Sequence, residues 1–156
     1  MKEEKDANGG KAVRELIDQQ FESFGGWTKG GSGEIDWLKC RMANGTKVCL
    51  GVEVQFSARS DLMVMDVIHL RKAISQGKID VGAIVAPSDK LAVFLTDRGP
   101  SISVARTHVR EARAEDLPLI LISLEHDGAG PALAKQAKRS RKSPSRSPNY
   151  MSGDGF

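Results

Sequence analysis

At 156 residues, with 40% hydrophobic and 28% charged residues, the chain has the composition of one soluble globular domain, and no apolar run approaches the roughly 20 residues needed to cross a bilayer. The net charge of +3 is unevenly divided: six of the 23 basic residues but one of the 20 acidic residues follow Ala134, so the part before it is slightly acidic, unlike the uniformly basic surface of a passive nucleic-acid coat. Two cysteines exclude a disulfide framework and Met1–Asn8 lacks an apolar secretory core, so a cytoplasmic protein with reduced thiols is expected.

In chain order, residues 1–10 read as a flexible lead. Lys11 to Phe24 reads as a helix, because Val13, Leu16, Ile17, Phe21 and Phe24 recur at helical spacing before Gly25-Gly26. Trp27 to Gly33 is a Gly-rich loop, read as a flexible approach to an active edge. Glu34 to Met42 and Lys47 to Phe56 are strands joined by Asn44-Gly45, the pair that favours a type I′ hairpin turn. Ala58 to Ser75 reads as a second helix with Leu62, Met65, Ile68 and Lys72 on one line, apolar around much of its circumference. Ile79 to Ala86 is an apolar strand, Leu91 to Leu95 a further strand, and Ile102 to Ala114 a third helix. Leu117 to Leu124 reads as a strand buried on both faces. Residues 11–128 then form the folded domain, and 129–156 a basic, Ser/Pro-rich tail expected to be disordered. Helices alternating with strands predict an α/β fold, a mixed central sheet with helices on its faces.

The hairpin concentrates the chemistry. With a two-residue loop, Asp36 lies opposite Glu53, Cys40 opposite Cys49, and Glu34 opposite Gln55. Alternation places these on one face, and Ile35, Trp37, Val52, Val54 and Phe56 on the other, core face. Carboxylates directly opposed across a sheet repel, and a divalent cation between them relieves the repulsion. Oxygen donors of this kind suit Mg²⁺, which can polarise a phosphodiester. Solvated acids on an open sheet face would give the same pattern.

The stretch Gly33-Glu-Ile-Asp36 followed by Val52-Glu53-Val54-Gln55-Phe56 resembles the metal site of the PD-(D/E)xK nuclease superfamily, and within it the BglII/BamHI-like type II restriction endonucleases. The similar stretch runs from about Lys11 to Leu124, and the order of helices and strands fits it. The resemblance implies a restriction-endonuclease-like sheet and a Mg²⁺-dependent endonuclease acting on DNA. Asp36, Glu53 and the backbone carbonyl of Val54 would be metal ligands. Gln55 would stand where the superfamily lysine orients the attacking water, acting by hydrogen bonding because it carries no charge. A Glu on the first helix would complete the site, Glu15 first and Glu22 second. A homodimer is implied if both strands of a palindrome are cut. The chain lacks the extra segments that such enzymes use for base recognition. A repair or RNA-directed nuclease of the same fold, and an inactive nucleic-acid- or protein-binding module, therefore remain alternatives.

Among the remaining residues, Lys29, Arg59, Arg98 and Arg106 are candidate phosphate contacts, with Lys29 and Arg59 assigned to DNA binding. Cys40 and Cys49 read as packed thiols without histidine companions for zinc. His69, His108 and His126 have no partner at triad or metal spacing and read as structural. Gly30-Gly31-Ser32-Gly33 lacks the Gly-Lys-Ser/Thr ending of a phosphate loop. Two readings of the basic tail stand open, nonspecific nucleic-acid binding through counterion release and a plain solubilising segment.

Overall fold

Asn44 and Gly45 close the central hairpin with positive φ at both positions, 50° and 79°, as a type I′ turn requires. That turn sets the register between β2 (Trp37–Ala43) and β3 (Thr46–Val54): Ala43 faces Thr46, Cys40 faces Cys49 and Trp37 faces Val52. A computed structural model describes residues 9–31, 34–56, 60–95 and 100–128. The lead up to residue 8, Gly33, Arg59, Arg98 and the tail from residue 129 lie outside the described residues.

Around the hairpin the fold is α/β. The sheet has five strands in the order β1-β2-β3-β4-β5, where β1 is Thr28–Lys29, β4 is Val81–Pro87 and β5 is Leu119–Leu124. The first three strands are antiparallel, and β3, β4 and β5 run parallel, each parallel step being made through helices. Helix α1 spans Gly10–Ser23, α2 Ser60–Ser75, α3 Asp89–Ala92 and α4 Ile102–Glu111.

Two apolar layers sandwich the sheet. On one side Val13, Ile17 and Phe21 of α1 pack on Trp37, Val52, Val54 and Phe56. Phe21 stacks on the Trp37 ring at 5.2 Å between centroids. On the other side Met63, Val67, Leu70 and Ala73 of α2 meet Ile84 of β4 and Ile102, Ala105 and Val109 of α4. Full burial of Met63, Val67 and Leu70 contributes about 2 kcal/mol each. The buried stripe of α2 therefore differs from the expected line, since Met65 and Ile68 are exposed. In a helix apolar nearly all round, periodicity alone does not choose the face; the position of the sheet does.

Other expectations are corrected as well. Leu91 to Leu95 is not a strand: the Ser88 hydroxyl accepts from the Leu91 N–H and caps the short α3, and a turn follows. β5 is an edge strand rather than one buried on both faces, leaving Ile120 and Ile122 exposed. The Trp27–Gly31 stretch includes a short strand, β1, paired with Leu38 and Trp37. Within it Gly30 is a close-packed point, because a Cβ there would lie 1.8 Å from the Ile35 carbonyl oxygen. Ile35 precedes β2, outside its alternation, and packs on the α2 side instead of beside Trp37.

Cys40 and Cys49 are joined in a disulfide, not left as thiols. They form a pair whose backbones do not bond each other: the Cys49 N–H donates to Asp80 at 2.7 Å and its carbonyl accepts from the Asp80 N–H at 2.8 Å, both on the β4 side. Such pairs bring Cα atoms close, here to 4.0 Å. The register that was legible in the sequence is what places the two sulfurs together. A disulfide does not fit the reducing setting inferred from the cysteine count.

Candidate metal centre

The site forms where three elements meet: the approach to β2, the end of β3, and one side of α2. The 37–52 pairing carries Asp36 to the end of β3, where its Oδ2 accepts the Val54 N–H at 2.8 Å. Its own N–H donates to Glu53 Oε2 at 3.4 Å. Asp36 and Glu53 thus lie side by side, as the register arithmetic predicts, through hydrogen bonds to each other's backbone and side chain rather than as a ladder pair. Glu53 is only 2% exposed, buried under α2.

Helix α2 adds two residues that the sequence reading did not assign to the site. Asp66 and His69, at i and i+3, share one side of the helix. His69 Nδ1 lies 3.2 Å from Glu53 Oε1. Asp66 Oδ2 accepts from Gln55 Nε2 at 3.0 Å. Glu53, Asp66 and His69 each offer one ligand atom, and the three atoms lie within 4.8 Å of one another. His69, read from the sequence as structural, is therefore part of the cluster. The available signal was a polar pair, Asp66 and His69, interrupting an otherwise apolar helix.

Electrostatics mark the same point. Burial, then the charges of Asp36 and Asp66, push the Glu53 carboxyl up to about 10, and a hydrogen bond to Asp36 further favours its protonated form. Burial and the Asp36 charge push Asp66 up to about 7, against the opposing pull of Gln55 and Arg14. Three carboxyl groups converge, Glu53 buried and Asp36 and Asp66 partly so, and a cation between them would favour their full ionisation.

One cation is already nearby. Arg14 of α1 pairs with Asp36 Oδ1 at 2.9 Å and with Asp18 Oδ1 at 2.9 Å, and donates to the Val54 carbonyl. Despite its burial, Asp36 and Asp18 hold Arg14 above the usual guanidinium value. Asp18 also accepts from the Trp37 indole N–H at 2.9 Å. Burial works to raise Asp18, but the Trp37 and Arg14 hydrogen bonds and the Lys29 charge outweigh it and hold the carboxyl low. Arg14 therefore ties α1 to the end of β3 and engages the Val54 oxygen that was expected to ligate a metal.

The remaining candidates fall elsewhere. Glu15 is exposed and pairs with Lys11 at 3.6 Å, so it does not join the carboxylates; Glu22 pairs with Lys29 at 3.8 Å. The Lys29 ammonium also lies 3.4 Å from Asp18 and 5.1 Å from the Trp37 ring centre. It is exposed and at the same time engaged with these neighbours. Arg106 lies on α4. His108 and His126 pair with Glu111 and Glu125, away from the cluster.

A cleft of about 240 Å³ opens beside the cluster, between the β1–β2 connection and the C-terminal half of α2, with His69 in its wall. Among the described residues, no helix is long and apolar enough to cross a membrane. No protein-family model matches the chain, and no curated protein matches its sequence.

Proposed function

We propose that the protein is a divalent-metal-dependent endonuclease that hydrolyses phosphodiester bonds in DNA, similar to the restriction-endonuclease branch of the PD-(D/E)xK nucleases. The observation that carries this reading is the convergence of Asp66 and His69 on the buried Glu53 carboxylate, with His69 Nδ1 3.2 Å from it and Asp36 hydrogen-bonded beside it. Buried carboxylates that raise each other's pKa are costly to a fold, and a bound dication removes that cost.

Oxygen donors with one imidazole nitrogen fit Mg²⁺ or Mn²⁺. Glu53, Asp66 and His69 would hold the ion, with Asp36 beside them. The Val54 carbonyl accepts from Arg14, and its second lone pair would serve the ion. Bound there, the ion supplies Lewis-acid polarisation of a phosphodiester oxygen. The protein's own groups prepare the place. Arg14 fixes one oxygen of Asp36 and the Val54 N–H fixes the other, so this carboxylate is oriented before any ligand arrives. Gln55 donates to Asp66 and holds its carboxylate toward Glu53. His69 Nδ1, 3.2 Å from Glu53 Oε1, fixes the imidazole against that carboxylate.

The test is plasmid cleavage with Mg²⁺, with Mn²⁺ and with chelator, comparing wild type with Asp36→Ala, Glu53→Ala and Asp66→Ala. Cleavage that needs the ion and is lost in all three variants supports the reading. Discrete fragments add sequence specificity, whereas a smear leaves a nonspecific nuclease. Intact plasmid, single-stranded DNA and RNA after incubation with wild type would overturn it.

A further inference from the structure

The cleft beside the cluster has a distinct chemistry. Its floor is apolar, formed by Ile35, Leu38, Ala73 and Ile79. Its rim carries Lys72 and Lys78, and no ion pair involving either is found among the described residues. Lys29 also lines the cleft, but its ammonium lies against Asp18, Glu22 and the Trp37 ring. Glu34, the one carboxylate among the described residues of the lining, accepts from the Gly31 N–H at 3.3 Å. An apolar floor under two ammonium groups without an ion pair among the described residues suits a ligand with a flat or apolar body and an anionic end.

Position and size narrow the ligand. Asp66, His69 and Lys72 follow at i, i+3 and i+6 along α2, so the cluster and the cleft share a wall. A volume of about 240 Å³ is below that of pockets for drug-sized ligands and far too small for a duplex. We propose that this cleft is a single-nucleotide subsite. It takes one unpaired nucleotide next to the phosphate that a cation held by Glu53, Asp66 and His69 would bind, with base and sugar against Ile35, Leu38, Ala73 and Ile79 and the neighbouring phosphate on Lys72 and Lys78. The proposal rests on the nuclease reading and deepens it: the strand in the site is locally single-stranded, at an end or an extruded nucleotide.

Binding tests it separately from cleavage. The full chain is titrated with a fluorescent ten-nucleotide single strand over a range of salt, in chelator and in Ca²⁺. Lys72→Glu and Lys78→Glu should each weaken binding about tenfold and lower the slope of log Kd against log salt by about one. Gln76→Trp, which narrows the cleft without changing charge, should weaken binding and leave the slope unchanged. Lys47→Glu, at the far end of the hairpin, should change affinity less than twofold. A mononucleotide should displace the strand, and inorganic phosphate at equal ionic strength should not. Thermal melts establish that each variant is folded.

Equal effects of Lys47, Lys72 and Lys78 substitutions would overturn the subsite, as would absence of binding by wild type. Displacement by phosphate as effective as by nucleotide would also overturn it, leaving a plain anion site. Binding that behaves as expected in a protein that never cleaves leaves the subsite standing and removes the nuclease reading. Cleavage unaffected by Lys72→Glu and Lys78→Glu does the reverse.

Discussion

Replacing Glu53 by Gln should stabilise the protein when no divalent ion is present. The Glu53 carboxyl is pushed from an ordinary 4.5 up to about 10, first by burial and then by Asp36 and Asp66. A folded-state pKa above the unfolded one means that the folded chain binds the extra proton. Its stability is then greatest below pH 4.5 and falls as pH rises toward 10. At pH 7, holding this proton costs about 3 kcal/mol, from roughly 1.4 kcal/mol per pH unit above the ordinary value. No discount for solvent applies, since the side chain is 3% exposed. Gln matches the shape of the protonated acid and keeps a donor for Asp36, without the protonation cost. Thermal melts in chelator should place Glu53→Gln roughly 10 °C above wild type at pH 7 and within a few degrees of it at pH 5. Saturating Mn²⁺ should raise the wild type and leave the variant unmoved. A variant less stable than wild type at pH 7, or a difference that does not change with pH, would refute the reasoning.

Other outcomes follow from the same geometry. Asp66, pushed up to about 7 by burial and by Asp36, makes the metal-free protein lose up to about 4 kcal/mol of stability as pH rises from about 4 to 7, and denaturant titrations in chelator across that range should show the fall. Leu70→Ala empties a fully buried position between α2 and the sheet and should cost about 2–5 kcal/mol, read as a lower urea midpoint with an unchanged slope. Opening the Cys40–Cys49 bridge by paired Ser substitution should cost about 2–3 kcal/mol for so short a loop, and alkylation should add two groups to the wild type only after reduction under denaturing conditions.

Local rules account for much of what the chain alone discloses. Asn44-Gly45 demanded positive φ at two successive residues, and that requirement sets the whole register of β2 against β3. From the register came the neighbourhood of Asp36 and Glu53 and the pairing of the two cysteines. The pairing was visible but its redox state was not, because cysteine count reports on compartment and not on the distance between two sulfurs. Periodicity placed α1, α2, β4 and α4 within a few residues, since each is an element whose apolar spacing repeats over several turns or alternations.

What tertiary structure decided depends on which faces meet. α2 is apolar almost all round, so its own pattern could not say that Met63, Val67 and Leu70 turn inward while Asp66 and His69 reach the carboxylates of β3. Nor could α1 declare that Arg14 reaches Asp36 and the Val54 oxygen while Glu15 stays in solvent beside Lys11. A helix presents every side chain at a fixed angle, but only its rotation on the sheet determines which of them become buried neighbours. The strand neighbours at this site follow from one turn by counting residues along two strands, whereas its helical residues are placed by packing, which no local count gives.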